Sequence, residues 1–203
     1  MSSDNSSSLE HIHDCFSVVI VGDCNVGKTS ILSKYCNNVF SEQKQANKAI
    51  DIYTKTIRIK DKIYKLKLWD ILYNESNFKL NQQIYERTDC VVFAYSVNDK
   101  ESFANINKWY NILAESLDLS EKQMMIIGNK IDLEDERVVG VDEVRRKAEH
   151  MQMEYYEVSC LTGEGMNQAF ECLVNKAINN TYKDNLLELK THTNASSGNC
   201  ATW

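Results

Sequence analysis

Apolar residues recur along the chain in two rhythms. Phe16 to Val21, Cys90 to Tyr95 and Met124 to Ile127 are short continuous apolar runs bounded by polar residues, the pattern of strands covered on both faces in a parallel sheet. Ile57 and Ile59 alternate with charged residues, a turn is expected at Asp61-Lys62, and Leu66 and Leu68 alternate with Lys65 and Lys67. That alternation predicts a hairpin with one solvated face. Helical spacing covers residues 28–37, the set Phe103, Ile106, Trp109, Tyr110 and Leu113, then Val141 to Met151 and Asn167 to Ile178. The aromatic stripe in the second of these reads as a helix face packed on the sheet. Tyr155 to Val158 is a short strand between the last two helices, and Val39 to Ile50 is polar enough to read as a loop. Strands alternating with helices predict an α/β doubly wound sheet, mostly parallel with one antiparallel edge hairpin and helices on both faces. Ligands of such sheets sit at the carboxyl ends of the strands.

The 203 residues suit one domain, expected over residues 16–180, with a disordered lead at 1–15 and a flexible tail at 181–203. A net charge of -6 with dispersed lysines argues against a nucleic-acid partner held by phosphate neutralisation. Seven cysteines with no C-x-x-C pair suggest neither a disulfide framework nor a zinc site, so reduced thiols in the cytoplasm are expected. The Ser-rich lead has no Lys or Arg and matches neither a secretory nor a transit peptide, and no apolar run is long enough to span a bilayer.

Two motifs carry chemistry. Gly22-Asp23-Cys24-Asn25-Val26-Gly27-Lys28-Thr29 fits G-x-x-x-x-G-K-[ST], follows the first predicted strand and opens the first predicted helix with Ser30 next in line. In such a loop backbone N–H groups point inward around phosphates, and the helix aims its positive end at them. Lys28 would reach the β- and γ-phosphates, and the Thr29 hydroxyl would serve Mg²⁺. The second motif, Asn129-Lys130-Ile131-Asp132, has the form N-K-x-D and follows another predicted strand. The Asp132 carboxylate can accept from N1–H and the 2-amino group of guanine, a pair that adenine lacks, so an acceptor left unpaired would reject adenine. Lys130 would lie its stem along the base, and Asn129 would tie this loop to the phosphate loop.

With both motifs in order, residues 16–178 resemble the Ras superfamily of small GTPases, most closely the Rab branch, on a P-loop NTPase sheet. Lys65 to Asp70 resembles the Rab strand leading into the second switch, and Tyr95 to Trp109, with Glu101-Ser102-Phe103 inside it, resembles the segment entering the third helix. Ser159-Cys160-Leu161 resembles the S-A-K loop. There the resemblance implies a Cys160 backbone N–H for guanine O6, with Leu161 in place of a lysine. It also implies GTP/GDP and Mg²⁺ as cofactors, with Thr29 and Asp70 as metal ligands, Asp70 through water. Effector and exchange proteins would meet the switch surfaces of a monomer.

The departures from that pattern are specific. Asn47 stands at the switch-one threonine and is a candidate further Mg²⁺ ligand through its carbonyl, and Ala49 replaces a glycine. Tyr73 stands at the switch-two glycine, and Asn74 replaces the glutamine that orients the attacking water. No glycine occurs between Gly27 and Gly128. A slow GTPase of vesicle traffic or signalling and a hydrolysis-deficient guanine-nucleotide scaffold therefore both remain open. Cys200, four residues from the end, is a candidate lipidation position, but Trp203 and the absence of a basic cluster predict weak, reversible membrane association.

Overall fold

A computed structural model describes residues 11–41, 49–72 and 82–196, with side chains to residue 181. Six strands, β1 (Ile12–Val21), β2 (Ile50–Ile59), β3 (Lys62–Ile71), β4 (Cys90–Ser96), β5 (Gln123–Asn129) and β6 (Glu154–Val158), form one sheet in the order β2-β3-β1-β4-β5-β6. The β2–β3 pair is antiparallel and every other pairing is parallel. This is the predicted sheet with its edge hairpin. The helices are α1 (Lys28–Asn37), α2 (Gln82–Glu86), α3 (Lys100–Ala104), α4 (Ile106–Ala114), α5 (Val141–His150) and α6 (Met166–Ser196).

Alternation along each central strand sends successive side chains to opposite faces, and both faces are apolar. On one, Val18, Ile20, Leu66 and Val92 meet Leu32 and Tyr35 of α1 and Phe170 and Leu173 of α6. Tyr35 stacks on Phe170 with ring centroids 4.0 Å apart. On the other, Val19, Val91, Phe93 and Ile126 meet Phe103, Ile106, Trp109 and Leu113 of α3 and α4 and Val144 of α5. The aromatic stripe is thus a packed helix face, as its spacing predicts.

Four boundaries differ from the sequence reading, each for a local reason. β1 begins at Ile12, inside the expected lead, because β3 supplies a partner that far: Ile12 pairs with Ile63, and His13 meets the Tyr64 ring edge-on at 5.5 Å. The hairpin turns at Lys60-Asp61, one residue earlier than expected, where Lys60 takes φ +54°. The second predicted helix divides at Asn105, with Asp99 accepting from the N–H groups of Glu101 and Ser102 at the start of α3. The last helix continues past residue 180, since no glycine or proline stands between Met166 and Ser196.

Candidate functional site

The motif residues come together where the topology puts strand carboxyl ends side by side. At Gly22, with φ +149°, a Cβ would lie 2.2 Å from the Ala94 carbonyl oxygen, so the chain leaves β1 in hard contact with β4. At Gly27, with φ +97°, a Cβ would lie 2.3 Å from Asn129 Nδ2. The missing side chain lets Asn129, 1 % exposed, reach across and donate from Nδ2 to the Val26 carbonyl at 2.9 Å. Gly27 is also the N-cap of α1, which has no side-chain cap and no acid in its first turn. A helix end of that kind favours an anion.

Lys28 Nζ donates to the carbonyls of Gly22 at 2.9 Å and Asp23 at 2.8 Å, which draws the ammonium over the loop. Thr29 Oγ1 donates to Asp70 Oδ2 at 2.6 Å. Asp70 arrives there because β3 runs parallel to β1 with Asp70 beside Ile20. Burial pushes its carboxyl above the usual range, opposed by the Thr29 hydroxyl and the Lys28 charge. A hydroxyl and a carboxylate in contact beside a phosphate-type loop are a donor set suited to Mg²⁺, a hard cation that takes oxygen ligands.

Beyond the loop lies a cavity of about 430 Å³ lined by Asn25, Gly27, Ser30, Phe40, Asn129, Lys130, Asp132, Cys160 and Leu161 among others. Lys130 adopts φ +70°, a backbone conformation uncommon outside glycine. The Leu133 N–H closes that turn on the Lys130 carbonyl at 2.9 Å, so Lys130 and Asp132 both line the cavity. Fully buried Ser159 donates from Oγ to Asp132 Oδ1 at 2.5 Å and accepts from the N–H groups of Leu161 and Thr162 at 3.1 Å each. Cys160, 3 % exposed, approaches Asn129 Oδ1 with its backbone N at 3.4 Å and its Sγ at 3.2 Å. Burial pushes that thiol up to about 12. Three loops from β1, β5 and β6 therefore close on Asn129.

A model of the Ras family matches residues 17–179. Ras-related protein RABG3f of Arabidopsis thaliana and Ras-related protein Rab7 of Cenchrus ciliaris are each 33% identical over 175 residues, 83% of this chain and 85% of theirs. Ras-related protein Rab-11B of Dictyostelium discoideum is 30% identical over 190 residues, 94% of this chain and 86% of its own. The chain belongs to the Ras family. It is a Rab-like small GTPase.

Within this Rab-like protein some contacts of the site are not legible in the motifs. Asp23 turns its side chain away from the cavity: Oδ2 accepts from Asn105 Nδ2 and Oδ1 from Trp109 Nε1, both at 2.7 Å. A buried indole N–H needs a partner, which was the available signal, but nothing local pointed 86 residues back to Asp23. Phe40, just past the end of α1, lines the cavity. Arg137 and Glu157 pair through two hydrogen bonds, at 2.7 and 3.1 Å, and link the segment after N-K-x-D to β6. Ser159 is placed on Asp132 rather than facing the cavity as a separate group. Asn47, Tyr73, Asn74 and Cys200 lie outside the described residues.

Proposed function

We propose that the protein holds GDP and GTP with the base in the cavity between Lys130, Asp132 and Cys160 and the phosphates over Gly22 to Ser30. The observation that carries this reading is the closure of three loops on Asn129 beside a carboxylate fixed by Ser159. An acceptor pair held in place recognises two adjacent donors on a base, and guanine presents them. Phe40 and the Lys130 stem would enclose the base faces, and the Cys160 backbone N–H would meet O6. Thr29, Asp70 through water and the Asn47 carbonyl would hold Mg²⁺, which neutralises phosphate charge when bound. Calorimetry in Mg²⁺ tests the reading: GDP binds several orders of magnitude more tightly than ADP. Equal affinities contradict it.

Hydrolysis is slow in this reading. The carboxamide of Asn74 falls short of a glutamine's by one carbon–carbon bond, roughly 1.5 Å, and a misplacement of about 1 Å costs roughly a hundredfold in rate. With Tyr73 at the switch-two glycine and Asn47 at the switch-one threonine, the γ-phosphate also gains less differential contact between GTP and GDP forms. The same substitutions favour a second reading, a guanine-nucleotide scaffold that switches little. The Rab-like relatives support a role in vesicle traffic or signalling as a cytoplasmic monomer that meets effector and exchange proteins. Membrane contact would be on the cytosolic face of endomembranes and reversible, with Cys200 the position for a lipid. No helix among the described residues is long and apolar enough to cross a membrane.

A further inference from the structure

Asn129 holds the phosphate loop through Nδ2 and leaves Oδ1 to the third loop, where one residue supplies both approaching donors. The Cys160 N–H lies at 3.4 Å, the long end of hydrogen bonding, and the thiol at 3.2 Å, ordinary for sulfur. A carbonyl oxygen accepts two hydrogen bonds, and a buried one left without a donor is costly. The S-A-K pattern that this loop otherwise resembles has alanine where Cys160 stands, with no side-chain donor to offer. When the base enters, the Cys160 N–H is wanted by guanine O6. In an alanine protein, turning that N–H to the base weakens the contact at Asn129 Oδ1. Here the thiol keeps it.

We infer that Cys160 is a positioning residue for guanine: its S–H holds Asn129 Oδ1 so that its own backbone N–H is released to the base oxygen. This rests on the guanine-binding reading above and adds a side-chain role to a residue whose part there is played by its main chain. The direction is set by donor strength. A thiol is a weak donor, a hydroxyl a stronger one and a methyl none.

The test compares release of GDP and 6-thio-GDP from wild type, Cys160→Ala and Cys160→Ser, with thermal melting of each protein. Cys160→Ala is expected to release GDP faster, by roughly three- to tenfold, and Cys160→Ser to stay within about twofold of wild type. The gain for Cys160→Ala should shrink with 6-thio-GDP, whose sulfur asks less of the N–H. Equal release from all three proteins overturns the inference, and so does equal acceleration by both substitutions with both nucleotides, which marks a packing role. Infrared difference spectra of wild type against Cys160→Ser give a reading that needs no alanine protein. The Cys160 S–H band should lie at hydrogen-bonded frequency and move lower on GDP binding. A band at the unbonded frequency overturns the inference. Failure of wild type to bind GDP at all would instead remove the guanine reading on which it rests.

Discussion

At the base end of the proposed site Asn129, Ser159 and Cys160 are buried: Asn129 bonds to Cys160 and to the phosphate loop, and Ser159 bonds to Asp132. At the proposed γ-phosphate end lies the Thr29–Asp70 pair, and in sequence the chain departs from the family pattern at Asn47, Tyr73 and Asn74, outside the described residues. The two ends serve different steps. Contacts to base and to α- and β-phosphates act equally on bound GTP and on its transition state, so they raise affinity without raising turnover. Turnover depends on groups placed at the γ-phosphate and the attacking water. A chain can therefore keep its nucleotide while hydrolysing it slowly, which is the proposal that the residue types at Asn47, Tyr73 and Asn74 support.

The largest expected effect breaks the base end. Asp132→Asn replaces an acceptor with a donor, so preference should pass from GDP to xanthosine diphosphate, whose 2-oxo group accepts. The ratio of the two affinities, read by competition, should change by roughly 10⁴-fold. An unchanged ratio would show that Asp132 does not face the base edge. Ser159 should hold the new amide by the same hydroxyl, since an amide oxygen also accepts.

A smaller effect sharpens the comparison from the phosphate side. Trp109→Phe keeps the ring packing against the sheet but removes the Nε1 donor to Asp23. Losing a hydrogen bond to a charged group, on the order of 1.5–3 kcal/mol, should loosen the phosphate loop and speed GDP release by about tenfold or more. The GDP-to-ADP preference should stay as it is, because the base end is untouched. A changed preference would mean that the two ends are coupled.

Which parts were legible in advance follows from what each part obeys. The strands and helices follow hydrophobic period, a local property, and β4 and β5 stand where their apolar runs place them. Lys28, Thr29, Asn129 and Asp132 were legible because phosphate loops and guanine contacts need particular residue types at short spacing. Asp23–Trp109 and Arg137–Glu157 were not, because each pairs side chains brought together only by the assembled fold. The Asp23 carboxylate ties the loop to Asn105 and Trp109. Element ends are not legible where a neighbour decides them, as with β1 extended by β3.

The smallest effect concerns alkaline stability. Burial pushes the Cys160 thiol from 9.0 up to about 12 and the Cys36 thiol from 9.0 up to about 11. In the unfolded chain these thiols lose their protons near the ordinary value, while the folded protein keeps them. Stability from both is thus fully present below about pH 9 and is lost as pH rises toward the folded values. Denaturation midpoints without nucleotide should be level from pH 7 to about 9 and fall above it, with a shallower fall for Cys160→Ser. A midpoint that does not fall between about pH 9 and 11 would contradict the burial of these groups.

The separation of holding from hydrolysing is tested most directly by measuring, on the same preparations, GTP affinity and single-turnover GTP hydrolysis for wild type and for Tyr73→Gly with Asn74→Gln. The restored residues should leave GTP affinity within a few-fold of wild type and raise hydrolysis by roughly a hundredfold. Wild type hydrolysing GTP as fast as the double variant would contradict it.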